Sequence, residues 1–292
     1  MHGVEKSYRT TTCIPSEDIT CVVPTHGRPA LLSRALDSIA KQLEPPARVI
    51  VADNLGDSET RAVVRSAAES SKIEIIHRVD VSNSRAFDNW RAGFASVETK
   101  YTKVVWDDDW LSETCLNTMA DLINRHCADF VVCGAIGHVL GQNHLWYQYR
   151  AFNTRVPLRV LPLVALNRLP VSPLAGLQLT EDIHDACRQD WFHPEALSEG
   201  LVVGPDLAMT YIGILRNRKM VFTPTPLVHM FSDGKNMTQL AGPSIERYYI
   251  YTLERMMRSN VLQKAIMGIA LTNRRRRLAD VDDSRDVLLR DQ

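Results

Sequence analysis

What this sequence of 292 residues has little of narrows its function before any motif is read. It carries no surplus of charge, because 34 basic side chains meet 34 acidic ones. The basic footprint of a nucleic-acid-binding protein is therefore missing, and no nucleic-acid partner is expected. No Cys-x-x-Cys pair occurs among the six cysteines, Cys13, Cys21, Cys115, Cys127, Cys133 and Cys187. That spacing offers no disulfide framework and points to reduced thiols in the cytoplasm. The longest nearly apolar run, Phe130 to Gly141, is too short to span a bilayer. The opening MHGVEKSYRTTTCIPSED lacks the basic-then-apolar layout of a secretion signal, so the sequon Asn236-Met237-Thr238 is read as unmodified. Neither GxxxxGK nor GxGxxG occurs, which excludes a P-loop and a dinucleotide fingerprint. Internal repeats and low-complexity tracts are also missing.

What is present is an ordinary globular composition, 45% hydrophobic, with a patterned first half. The runs ITCVVPT, ARVIVADN, IEIIHRV and TKVVW read as buried strands. Between them come helical periods: one carries Leu32, Ala35, Leu36, Ile39, Ala40 and Leu43 on a shared face, another covers Glu59 to Glu69, and RAFDNWRAGFA forms a third. Strands alternating with helices predict a mostly parallel, Rossmann-like sheet. Ligands in such sheets bind beyond the carboxyl ends of the strands, where Thr25, Asp53 and the run Asp107-Asp108-Asp109 all fall. A helix from about Ser112 to Arg125 follows. Beyond it, ADFVVCGAIGHVL, HLWYQYR and LRVLPLVAL read as antiparallel additions. A helix opens at Gly204-Pro205-Asp206, then come the strand KMVFT, the segment PLVHMF and a helical region from about Pro243.

The strongest local signal is VVWDDDWL. Three consecutive carboxylates repel one another and make a poor end to a buried strand unless a cation shares the site. Oxygen-only ligands suit Mg²⁺ or Mn²⁺, which complete their shells with water and substrate phosphates. The alternative is a solvated turn that caps the next helix.

Taken together, these motifs resemble the inverting family 2 glycosyltransferases of the GT-A fold, over roughly residues 19 to 238. CVVPTHGR, Cys21 to Arg28, is similar to the opening strand of that family, and VIVADNLGDSET is similar to its second strand and turn. The resemblance implies an α/β domain over residues 19–242, after a polar tail over 1–18 and before a helical, charged extension over 243–292. It places Thr25, Arg28, Asp53, Arg85, Asp107 and Asp108 at the donor, with Asp53 on the nucleobase edge and Asp107 near the ribose or diphosphate. The match through Asn83-Ser84-Arg85 and Asn89 is looser. Asp109 is implied as the direct metal ligand, joined by Asp107, and His229 or Asp233 could complete the shell. The sequence PLVHMFSDGKNMT is similar to a further family segment. For Gly204-Pro205-Asp206 the resemblance implies that the Asp206 carboxylate is the base that removes the acceptor proton. Otherwise it complements a helix N-terminus.

The implied reaction moves a sugar from a nucleotide sugar, with a UDP-sugar favoured, to a hydroxyl of a glycan or lipid-linked acceptor, with Mn²⁺ or Mg²⁺ as cofactor. Trp110 and Trp191 are candidates for stacking on an acceptor sugar. Arg274-Arg275-Arg276-Arg277 follows the apolar stretch VLQKAIMGIALT, the layout of a helix that could rest on an anionic membrane face. Two rival readings are a nucleotidyltransferase acting on sugar phosphates and a non-catalytic sugar-nucleotide-binding relative.

Overall fold

The computed structural model describes residues 18–82, 85–139, 141–147, 152–154, 172–187, 193–195, 203–232 and 244–256, with 268, 272 and 275. Its spine is a parallel array: β1 (Ile19–Thr25) lies between β2 (Arg48–Asp53) and β4 (Tyr101–Val104), and β3 (Glu74–Val79) pairs with β2. Every residue of β1 is buried, as a central strand covered on both faces requires. Beyond β4 the sheet continues through β9 (Gly176–Leu179), β6 (Phe130–Val139), β10 (Met220–Ser232) and β5 (Trp110–Leu111).

Only part of the second half is antiparallel. Strand β9 runs against both β4 and β6, so β6 and β10 return to the direction of β1 and pair parallel with each other. The antiparallel additions are β9, β5, β7 (Gln142–Tyr147) on β6 and β8 (Phe152–Thr154) on β10. KMVFT and PLVHMF, which read as separate segments, form the one strand β10, whose register on β6 shifts near Pro226. Proline lacks the ladder donor, so the strand bends there without ending. LRVLPLVAL lies outside the described residues.

The helices follow local chemistry. In α1 (Pro29–Ala40), Pro29 occupies the first turn, and Leu32, Ala35, Leu36 and Ile39 form the buried stripe. The helix stops before Leu43, which points into solvent and does not extend that stripe. Helix α2 (Ser58–Ser70) is capped by Asp57, whose side chain accepts from Thr60 N–H at 2.8 Å. Helix α4 (Cys115–His126) ends on Cys127 in the left-handed region, with φ 46°.

Helix α3 (Ala86–Ala95) packs closely on β1 and β2 through Gly93, where a Cβ would stand 2.8 Å from the Ala52 Cβ and 3.2 Å from a Val22 methyl. Two short elements that sequence pattern did not reveal are β9, which lies between β4 and β6 in the sheet, and α5 (Thr180–Ala186), which follows it. Here the fully buried Lys103 of β4 donates to the Leu174 carbonyl and, at 3.2 Å, to that of Gly176. Helix α6 (Pro205–Leu215) is buried on nearly all sides, and α7 (Ser244–Met256) packs against it.

Among the described residues no helix is long and apolar enough to cross a membrane. Of the basic run expected to touch one, only Arg275 is described, and it pairs with Glu254 at 2.7 Å.

The close approach at Gly93 gives a direct test of how α3 seats on the sheet. Gly93→Val should lower stability by roughly 1–3 kcal/mol through overpacking, read as a lower urea midpoint with an unchanged slope. An unchanged midpoint would mean that α3 rides farther from β1 and β2 than described.

Candidate functional site

The carboxyl ends of β1 and β4 bring four of the sequence-selected residues together. Thr25 ends β1, and its Oγ1 donates to Asp107 Oδ2 at 2.8 Å. Arg28, three residues on, donates from Nε to the same oxygen at 3.1 Å, from Nη2 to Asp107 Oδ1, and from Nη1 to Asp108 Oδ2 at 3.0 Å. This fork matches a guanidinium to a carboxylate, as a lysine could not. Arg34 on α1 adds a bond to the Asp108 carbonyl at 2.6 Å. The stretch after the aspartates is stitched to α1, because Gln42 donates to the Ser112 carbonyl at 2.8 Å and accepts from Leu116 N–H at 2.9 Å.

The electrostatics match the crowding. Burial raises the Asp107 pKa to about 6, Asp108 adds to the rise, and Arg28 and Thr25 offset part of it. Burial also lifts Asp109 well above the carboxylate range, helped by Asp108 and Asp107. The Phe231 N–H, donating to Asp109 Oδ1 at 2.8 Å, opposes this rise. Burial works against the Arg28 charge as well, but Asp107 and Asp108 outweigh it and its pKa is raised. The motif is thus short of positive charge even with Arg28 in place.

A divalent cation fits that shortfall. Among the described residues no group of three or more histidine, cysteine, aspartate and glutamate side chains converges on a ready cage. Mg²⁺ and its analogues are commonly held by one or two carboxylates plus substrate phosphates, so two buried, destabilised aspartates are a sufficient protein share.

Asp53 reaches the same edge but spends its carboxylate inside the fold. It is 0% exposed; Oδ1 accepts from Leu55 and Gly56 N–H, both at 2.9 Å, and Oδ2 faces His77 Nε2 at 3.0 Å. The neighbouring Asn54 Oδ1 lies 2.9 Å from His26 Nδ1, a contact between the first two loops that sequence reasoning missed. Arg85 is turned back onto Asp88 of its own helix at 3.1 Å, and Asn83 and Ser84 lie outside the described residues. Asn89 donates to the Ala52 carbonyl at 2.7 Å, tying α3 to the end of β2.

His229, expected as a possible further metal ligand, has both ring nitrogens in contact with protein groups: Nε2 lies 3.1 Å from Ser112 Oγ and Nδ1 lies 3.0 Å from His138 Nε2. Burial, with His138 beside it, lowers its pKa and keeps the ring neutral. Trp110, a candidate for stacking on a sugar, already has ring contacts within the protein: His229 is stacked on it at 5.0 Å and the Arg34 guanidinium lies over it at 4.1 Å. Nothing in the sequence singled out Arg34, which sits on α1 among other polar positions. Trp191, Asp233 and the Asn236-Met237-Thr238 ending lie outside the described residues.

Asp206 opens α6. The far end of that helix lies at the amino edge of the sheet, because a Cβ on Gly213 would stand 3.1 Å from the ring of Phe130, the first residue of β6, and the chain then enters β10 at Met220. Gly204, at φ 115°, makes the turn into the helix, and Asp206 Oδ1 accepts from Gly204 N–H at 2.9 Å. Asp206 Oδ2 accepts from the Tyr249 hydroxyl at 2.6 Å.

A family model described as glycosyl transferase family 2 matches residues 20–187. No curated protein matches the sequence. Among solved structures, S. aureus TarS 1-349 in complex with UDP-GlcNAc is similar at a TM-score of 0.66 and 17% identity, covering 88% of this chain and 72% of that one. The mannosyltransferase PcManGT from Pyrobaculum calidifontis, in complex with GDP-Man and Mn²⁺, is similar at 0.58 and 14% identity, covering 91% and 75%. At these identities the likeness is one of fold.

The raised Asp107 pKa has a measurable sign in metal-free buffer. The folded protein favours protonated Asp107, so that contribution to stability is full below the ordinary value of 3.8 and is lost as the pH rises through about 6. Asp107→Asn, which mimics the protonated form, should therefore gain on the parent between pH 4 and 7, by on the order of 2 kcal/mol in urea unfolding. The opposite slope would mean that Arg28 outweighs burial.

Proposed function

Because the chain belongs to glycosyl transferase family 2, we propose that it transfers a sugar from a nucleoside diphosphate donor to an acceptor hydroxyl, with inversion and with the help of Mn²⁺ or Mg²⁺. A uridine nucleotide is the favoured donor, and the acceptor is a glycan or a lipid-linked glycan. The carrying observation is the shared edge, where Thr25, Arg28 and the Asp107–Asp109 run meet at the ends of β1 and β4. The fold neighbours bound to UDP-GlcNAc, or to GDP-Man with Mn²⁺, support a nucleotide sugar as the ligand of this edge.

In this reading Asp109 and Asp107 would hold the cation, which when bound would supply positive charge to offset that of the diphosphate. Arg28 and Arg34 supply fixed positive charge beside the same position. Asp53 shapes the loop around the nucleobase through its bonds to Leu55 and Gly56. Asp206 accepts the proton of the acceptor hydroxyl while that oxygen attacks the anomeric carbon from the face opposite the diphosphate. The C–O bond to the diphosphate breaks as the new glycosidic bond forms, the diphosphate keeps the electron pair, and no covalent enzyme intermediate arises.

Two variants separate the donor half from the acceptor half. Asp109→Ala should abolish transfer and remove Mn²⁺-dependent donor binding, measured by calorimetry with and without the metal; full activity would sink the metal assignment. Asp206→Asn should bind donor as the parent does, while transfer falls roughly 10²- to 10⁴-fold, the usual share of a general base. A collapse of donor affinity in that variant would make Asp206 a structural residue.

A further inference from the structure

The C-terminal helix reaches the candidate base. The Tyr249 hydroxyl of α7 donates to Asp206 Oδ2 at 2.6 Å, while the Gly204 N–H holds the other oxygen at 2.9 Å. Aspartate has only two side-chain torsions, so one donor on each oxygen fixes the plane and direction of the carboxylate. The donors come from different places, one from the turn that opens α6 and one from a helix some forty residues later.

Tyr249 is itself held. It packs on a small cluster of Val203, Tyr248 and Ile245, in which Tyr248 is fully buried and Val203 leads directly into the Gly204 turn. The ring of His193 lies 5.1 Å from that of Tyr248 and 5.0 Å from that of Tyr251, and Arg247 pairs with Glu195 at 3.3 Å. A phenol carried on a helix docked in this way costs little further ordering when it donates.

We propose that Tyr249 is a positioning residue for the transfer reaction: its hydroxyl orients the Asp206 carboxylate toward the acceptor oxygen and favours its ionised, proton-accepting form. This rests on the reading of Asp206 as the base. The bond is charge-assisted, which makes it stronger than a neutral pair, and a donor to a carboxylate stabilises the charged state. It does not by itself block the chemistry, because each carboxylate oxygen can accept two hydrogen bonds. During turnover the Tyr249 proton stays on the phenol, and the proton that moves is the acceptor's.

A merely structural tie between α6 and α7 would show itself differently, and a double-mutant cycle separates the two. Tyr249→Phe keeps the ring in its cluster and removes only the hydroxyl. Acting through Asp206, it should lower kcat for transfer by roughly 10- to 100-fold, the scale of a misdirected catalytic group. The donor KM and Mn²⁺-dependent donor binding should stay at parental values. In the Asp206→Asn background the same change should have no further effect on the residual transfer. An undiminished kcat in Tyr249→Phe, or an equal loss in both backgrounds, overturns the proposal. So does a matched loss of transfer and donor binding together with a lower melting temperature, the mark of a packing role. Near-parental transfer by Asp206→Asn alone would instead overturn the base assignment itself, an outcome distinct from an inactive Asp206→Asn beside a fully active Tyr249→Phe.

Discussion

Concentrated negative charge in a place with little water governs this molecule. Asp107 and Asp109 are almost fully buried, and Asp108 stands between them. The fold answers that repulsion from several sides: Arg28 forks onto Asp107 and Asp108, Thr25 adds a hydroxyl, and β10 offers a backbone N–H to Asp109. Each answer comes from a different element, so the aspartate run specifies where β1, the start of α1 and β10 must lie. The compensation is incomplete, as the raised pKa values of Asp107 and Asp109 show.

The parallel half of the sheet was legible because its strands are apolar runs with polar stops, and β1 to β4 lie where those runs predict them. The antiparallel half was less so. Strand β9 is four residues long and β5 two, too short for any period to register, yet they set the strand order across the middle and at the edge of the sheet. The split reading of β10 came from its prolines, which mark a register shift within one strand. The nucleotidyltransferase reading gave way to the family match.

At the site, residue type proved more legible than residue state. Thr25, Arg28 and the aspartates were found because acidic and basic groups at strand ends are conspicuous in one dimension. What the sequence could not disclose was who already holds whom: Arg85 is taken by Asp88, Asp53 by its own turn and His77, and His229 by Ser112 and His138. These partnerships depend on rotamers and on residues far apart in the chain. Tyr249 shows the converse, a tyrosine in an unremarkable amphipathic helix that matters through one hydroxyl.

The order in which the ribosome delivers these partners has a consequence for the newborn chain. Arg28 is synthesised before Asp107 and Asp108, so two of the three acids meet their counter-charge as they emerge. Asp109 must wait for Phe231, 122 residues later, and β5 waits for the same strand. Until β10 is made, that carboxylate lacks the Phe231 N–H and one flank of β6 lacks its parallel neighbour. The interval before β10 appears is therefore when the nascent protein is most exposed to mispairing, and the last described strand of the sheet closes that window.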